Sequence, residues 1–335
     1  MKRSKEFRRI AAFLAVLFSV CIFTACGSYD NGLGVDKSQV YVAVITKSTT
    51  SEYWKTTFAG ANAAGAEYNL KVTYDGPENE EDHETQNAMI RKAVSDGADA
   101  IVFSAVDYNA NASAIDEAVG KGVKVVVIDS DVNSDLVSCR ISTDNYKAGQ
   151  MVGEAVVSGE EDSFRVGIVN FEQNAENGQK REQGFRDSVE GNSKVSIISA
   201  VHVNSTTEEA KQATIKMLEE DPEINIIVTF NEWTSLGVGY AVQELGVAEK
   251  VRVVAFDSNV VSVGMLETGE VDALIVQNPY AMGYLGVEYA CMLVNGEKIK
   301  ETDIDTTTTL ITRENMYVPD NQKVLFPFEQ IKNQT

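Results

Sequence analysis

The chain is poor in the residues that build metal sites and disulfide scaffolds. Its 335 residues include four cysteines, two histidines, five prolines and two tryptophans. Cys21 and Cys26 fall in or at the end of an apolar leader, which leaves Cys139 and Cys291 for the folded part. Both stand in apolar surroundings, so two buried thiols are expected rather than a bridge framework. His83 and His202 are far apart, and no His/Cys group has zinc spacing. Positive charge is scarce too: 29 Lys and Arg face 50 Asp and Glu, a net charge of −21. Residues 1–25 hold five of the bases and one acid, so without them the balance is −25. Such acidity argues against nucleic acid or an anionic membrane surface as partner. Catalytic signatures are equally thin. "GVGYAV" lacks the third glycine of a dinucleotide fingerprint and lies in a helical pattern rather than after a strand. No nucleophile and base stand at a known spacing, so neither an enzyme nor a cofactor is expected.

What is present begins with a leader. Lys2, Arg3, Lys5, Arg8 and Arg9 form a basic head, and the apolar run Ile10 to Phe23 follows. At about 14 residues that run is short for a membrane span and reads as a secretory signal over residues 1–25. Its ending, "FTAC", resembles a bacterial lipobox, which implies a lipidated Cys26 as the mature N-terminus and an extracytoplasmic, membrane-anchored protein. Residues 26–39, rich in Gly, Ser and Asp, read as a flexible tether.

From residue 40 onward, Val/Ile-rich runs such as "VYVAVIT", "ADAIVFS", "VKVVVID", "INIIVTF" and "VRVVAFD" alternate with amphipathic stretches. Nearly continuous apolar strands are those of a parallel sheet covered on both faces. Strand–helix–strand repetition predicts right-handed βαβ units. The strands form two similar sets, each with a strand ending on Asp, at Asp129 and Asp257. The fold class expected is therefore α/β, with two doubly wound parallel-sheet lobes. Ligands of open α/β sheets sit beyond the carboxyl ends of the strands. Lys47, Ser104, Asp129, Asn231 and Asp257 all fall at such ends. Tyr53 and Trp54 sit back to back at a helix start, where neighbours point about 100° apart, so one of them is expected to face the strand ends.

Four motifs carry a family resemblance. They are "KSTTSEYWKTTFAGANAAGAE", "VVVIDSDV", "ISTDNYKAGQMVGE", and the set "FNEWTSLGVGYAVQELG", "VVAFD" and "LIVQNPYAMGYLGVE". In this order they resemble the type I periplasmic binding proteins, specifically the ribose-binding-protein-like sugar binders, over about residues 40–312. The resemblance implies a three-segment hinge between one lobe of residues 40–142 plus 278–305 and another of residues 143–277 plus 306–335, in a monomer that closes its lobes on a monosaccharide or polyol and serves an ABC permease. A sensor of the same fold that signals to a membrane histidine kinase is the alternative. A repressor of related fold would need an N-terminal DNA-binding helix pair where this chain has a signal sequence. Carried over residue by residue, the implied ligand contacts are Ser51, Tyr53, Trp54, Ser104, Asp129, Ser130, Arg181, Val203, Asn231, Phe256, Asp257 and Gln277. Asp129, Arg181, Asn231, Phe256, Asp257 and Gln277 keep the ribose-binder residue. Tyr53 and Trp54 stay aromatic where ribose binders have Phe. Ser51 and Ser104 replace Asn, Ser130 replaces Arg and Val203 replaces Phe. Lys47 is expected to supply the positive charge lost at Ser130.

These residue types suit a sugar. Carboxylates accept hydroxyls in pairs, Arg and the amides offer paired donors, and aromatic rings cover C–H faces. Trp54 and Phe256 are expected to sandwich the ring. The competing expectation is that Asp129, Asp257 and Asn231 merely cap helices, and that Trp233 is core or cleft rim.

Overall fold

The computed structural model describes residues 39–326. The leader, Cys26 and most of the tether lie outside the described residues.

In chain order the first lobe holds β1 (Tyr41–Ile45), α1 (Glu52–Glu67), β2 (Lys71–Asp75), α2 (His83–Ser95), β3 (Ala100–Phe103), α3 (Ala112–Gly120), β4 (Lys124–Ile128) and β5 (Cys139–Thr143). The second lobe follows with α4 (Asn145–Val157), β6 (Phe164–Asn170), α5 (Glu176–Val189), β7 (Val195–His202), α6 (Thr207–Glu220), β8 (Ile226–Thr229), α7 (Glu232–Leu245), β9 (Arg252–Phe256), α8 (Val260–Thr268) and β10 (Ala273–Val276). Then α9 (Pro279–Val294) and β11 (Asp303–Thr306) return to the first lobe, and β12 (Thr309–Thr312) and α10 (Pro319–Leu325) end in the second.

The sheets have matching orders, β11-β5-β4-β3-β1-β2 and β12-β10-β9-β8-β6-β7. Each central strand is buried on both faces, which is why its sequence is a run rather than an alternation. Apolar clusters lie on both sides of each sheet. One strand departs from the parallel expectation: β12 runs antiparallel to β10. Only Thr307 and Thr308 separate it from β11, so the chain runs straight from one lobe into the other. It approaches the inter-lobe space in the first sheet and must leave it in the second.

The lobes repeat one packing device. Helix α1 crosses α9 so closely that a Cβ on Gly60 would lie 2.0 Å from the Tyr280 carbonyl oxygen. In the other lobe α4 crosses α5, and a Cβ on Gly149 would lie 2.0 Å from the Arg181 carbonyl oxygen. These glycines let the helices that carry Tyr53, Trp54 and Arg181 pack closely on α9 and α4. Cys139 and Cys291 are free and buried.

Candidate functional site

Strand order arranges the residues between the lobes. The chain crosses at β5, β10 and the β11–β12 link, all at one edge of the paired sheets. Outward from that hinge edge, the first lobe presents Asp129 after β4, Ser104 after β3 and Lys47 beyond β1, with Glu80 in the loop after β2. The second presents Gln277 after β10, Asp257 after β9, Asn231 beyond β8, Phe171 after β6 and Val203 after β7.

At the hinge edge, Gln277 donates from Nε2 to Asp257 at 2.7 Å and accepts from Arg181 Nη2 at 2.6 Å and Thr143 Oγ1 at 2.8 Å. Arg181 also donates to Asn145 and to the Phe230 carbonyl, and its guanidinium lies 4.7 Å from the Phe256 ring centre. Burial pushes the Asp257 carboxyl up to about 7, against the lowering influence of Arg181 and Gln277. Asp129 is a three-donor hub: Tyr53 Oη donates at 2.9 Å, Ser104 Oγ at 3.0 Å, and Asn177 Nδ2 reaches both oxygens at 3.3 Å from the other lobe. Both aspartates adopt left-handed backbone, φ 58° at Asp129 and 66° at Asp257. Such strain gathers at functional positions. Neither caps a helix; the caps of α7 and α8 are Asn231 and Asn259.

At the outer edge, Glu80 is buried and is met from both lobes. Trp54 Nε1 donates to its Oε1 at 2.8 Å, Trp233 Nε1 donates to the same oxygen at 3.3 Å, and Lys47 Nζ lies 3.4 Å from Oε2. The Lys47 ammonium also sits 4.9 Å from the Phe171 ring centre. A second cross-lobe acid, Glu232, accepts the Tyr53 N–H at 3.1 Å and Asn259 Nδ2 at 3.0 Å, and burial raises its carboxyl. Tyr53 and Trp54 meet edge to face, 4.9 Å between ring centres. Tyr53 turns to Asp129 and Trp54 to Glu80, so both rings of the pair reach the cleft.

Lys47, Ser51, Tyr53, Trp54, Asp129, Arg181, Asn231, Asp257 and Gln277 line one cavity, together with Glu80, Phe171, Asn177, Glu232 and Trp233, which the sequence did not single out as contacts. The cavity is about 20 Å³, so the lining groups meet one another and leave no room for a molecule of monosaccharide size. Three expected contacts stand behind the wall. Ser104 braces Asp129, and Ser130 is fully buried with no hydrogen-bond partner for its Oγ. Phe256, fully buried, lies against Arg181 and Phe230. Of the expected Trp54–Phe256 pair only Trp54 lines the cavity, where the other rings are those of Tyr53, Phe171 and Trp233. Val203 packs against the core of the second lobe. Asn231 caps α7 and also lines the cleft, as a dual role requires.

A larger cavity of about 580 Å³ opens on the hinge side and shares Tyr53, Asp257 and Gln277 as walls. Neither Arg181 nor Asp129 lines it, and the convergent polar groups make the smaller cleft the candidate site. Among the described residues, no three His, Cys, Asp or Glu side chains are grouped to hold a metal ion. No helix among them is long and apolar enough to cross a membrane.

Comparison with known proteins agrees with this geometry. The sequence profile of the periplasmic binding protein domain matches residues 42–298. The D-ribose/D-allose-binding protein of Pseudomonas aeruginosa is 26% identical over 310 residues, covering 88% of this chain and 97% of that protein. A carbohydrate transporter solute-binding protein from Agrobacterium radiobacter, solved with D-arabinose, is 28% identical with a TM-score of 0.83, covering 86% of this chain and 99% of that one. An ABC transporter solute-binding protein from Agrobacterium vitis, solved with D-fucose, is 29% identical with a TM-score of 0.82, covering 85% and 99%.

Proposed function

This chain belongs to the periplasmic binding protein domain family, whose members bind solutes without catalysis, and on that premise we propose that it captures a monosaccharide or related polyol and delivers it to an ABC importer. The observation that carries this reading is the convergence of Asp129, Asp257, Arg181, Asn231 and Gln277 from two lobes onto one aromatic-walled cleft. Carboxylates and amides answer hydroxyls, and the rings answer C–H faces. Its relatives' ligands, D-ribose, D-allose, D-arabinose and D-fucose, are all sugars, which supports the class.

The mechanism follows from the hinge. A sugar enters between parted lobes and replaces the cross-lobe bonds Asn177–Asp129 and Tyr53–Glu232 with bonds of its own, while the Trp233–Glu80 bond forms again as the lobes close. Closure then buries it, as in hinge motions of two-lobed binders. Lipidation at Cys26 would hold the protein at the outer face of the membrane. Calorimetry against pentoses, hexoses, inositols, nucleosides and amino acids tests the assignment. Micromolar or tighter binding of one sugar or polyol is expected, and a preference for amino acids over every sugar would overturn it.

A further inference from the structure

The two edges of the cleft differ in chemistry. Toward the hinge, Asp257, Gln277 and Arg181 surround the ligand space with charged and amide groups. Toward the outer edge stand Trp54, Phe171 and Trp233 around the Lys47–Glu80 pair. An indole has one donor and no acceptor, and phenylalanine has neither. Both indole N–H groups are spent on one Glu80 oxygen, at 2.8 and 3.3 Å. The other oxygen faces the Lys47 ammonium at 3.4 Å, which is answered on another side by the Phe171 ring. Glu80 is about 94% and Lys47 about 98% buried. A hydroxyl brought to this edge meets the faces of the rings, and the one ammonium among them is held between Glu80 and the Phe171 ring.

We propose that Glu80 is a positioning residue that fixes the two indoles as a partner-free wall at the outer edge, and that this wall selects a pyranose carrying hydrogen or methyl, rather than hydroxymethyl, on the ring carbon facing it. The inference rests on the sugar-binding reading and narrows its ligand class. The sugar's hydroxyl-rich edge turns to the hinge, where acceptors and donors converge, and its carbon-rich end turns to the rings. Glu80 acts without touching the ligand: its carboxylate ties an indole from each lobe to one point, so the wall forms as the lobes close. An apolar pocket rejects an added hydroxyl by up to about a hundredfold, and a preference of about tenfold or more is expected here.

Three sugar series isolate that one substituent at constant ring stereochemistry. They are L-arabinose, D-fucose and D-galactose; D-xylose, 6-deoxy-D-glucose and D-glucose; and D-ribose, 6-deoxy-D-allose and D-allose. Calorimetric titration of the purified protein should show, in the series that binds best, the hydrogen or methyl member ahead of the hydroxymethyl member by about tenfold or more. Trp233→Phe keeps a ring but leaves the Glu80 oxygen short of a donor. The preference should then shrink to within about threefold through tighter binding of the hydroxymethyl sugar. Glu80→Gln should loosen both indoles and flatten the preference while hinge-side binding persists, an effect on selectivity that a merely structural residue would not produce. Equal or tighter binding of the hydroxymethyl member by the unmodified protein would overturn the proposal, and loss of that binding in Lys47→Met would identify the ammonium as an outer donor instead. An unchanged preference in both Trp233→Phe and Glu80→Gln would also overturn it. Sugar binding without the preference sinks this inference alone, whereas failure of every sugar sinks the functional reading and this inference with it.

Discussion

Replacing Asp257 by asparagine removes one charge and almost nothing else. Its backbone stands at φ 66°, a conformation asparagine tolerates and alanine does not, so Asp257→Asn avoids the strain an alanine would add. Gln277 has its amide oxygen fixed by Arg181 and Thr143, so its Nε2 must point at residue 257. The new carboxamide will keep its oxygen toward Gln277 and turn its NH2 to the ligand, where the carboxylate accepted hydroxyl protons. Hydrogen bonds to charged groups contribute about 1.5–3 kcal/mol each, and a carboxylate in this cleft has room for two from a sugar. A loss of about 3 kcal/mol is expected, over a hundredfold in affinity at about 1.4 kcal/mol per decade. Asp129→Asn should cost less affinity and more stability, because Asp129 already holds Tyr53, Ser104 and Asn177. Calorimetry with the best-binding sugar, paired with thermal melts without sugar, separates the two. Should Asp129→Asn weaken binding more than Asp257→Asn, the assignment of Asp257 as the main hydroxyl acceptor is refuted.

Other perturbations test the same network. The Asp257 carboxyl, raised to about 7 by burial, accepts sugar hydroxyls more strongly once ionised, so affinity should rise from pH 6 to pH 8 and level off above; a flat profile, or one unchanged in Asp257→Asn, would count against this. The sign is opposite for stability: a raised carboxyl favours the folded state while protonated, and that contribution fades between about pH 4 and pH 7. Arg181→Met strands Asn145, the Phe230 carbonyl and the Arg181-side lone pair of Gln277; at about 1 kcal/mol for each orphaned group, the low end for such losses, the melting temperature should fall by roughly 6–12 °C, and an unchanged melt would contradict the network. Cys26→Ala should release the protein from membranes into the medium if two acyl chains anchor it, and full membrane retention would reject lipidation.

Much of the fold was legible because parallel strands buried on both faces leave continuous Val/Ile runs. The strand-end carboxylates were legible for the same reason, since each run stops on a polar residue. The polarity of β12 was not, because a short edge strand carries no mark of its direction. Phe171 directly follows the run "FRVGIVN", and Asn177 precedes Arg181 by one helical turn, so strand-end and helical spacing would have found both. Glu80 had no such signal. It lies in "GPENEED", which reads as a solvated acidic loop, and only the tertiary approach of Lys47 and two indoles gives it a buried role. Phe256 kept its motif but not the expected contact. It is the last residue of β9, beside Asp257, and its ring supports Arg181 from beneath.

The meeting at Glu80 also makes the protein its own optical reporter. The chain has two tryptophans, one on each lobe, and both indoles end on a single carboxylate oxygen. Lobe separation takes Trp233 from that oxygen into solvent and leaves Trp54 bonded to Glu80 within its own lobe. Emission from one indole should therefore report lobe position while the other serves as an internal reference, and substituting either with phenylalanine assigns the signal. Opening and closing can then be followed in stopped flow without a dye, on the chain as it is.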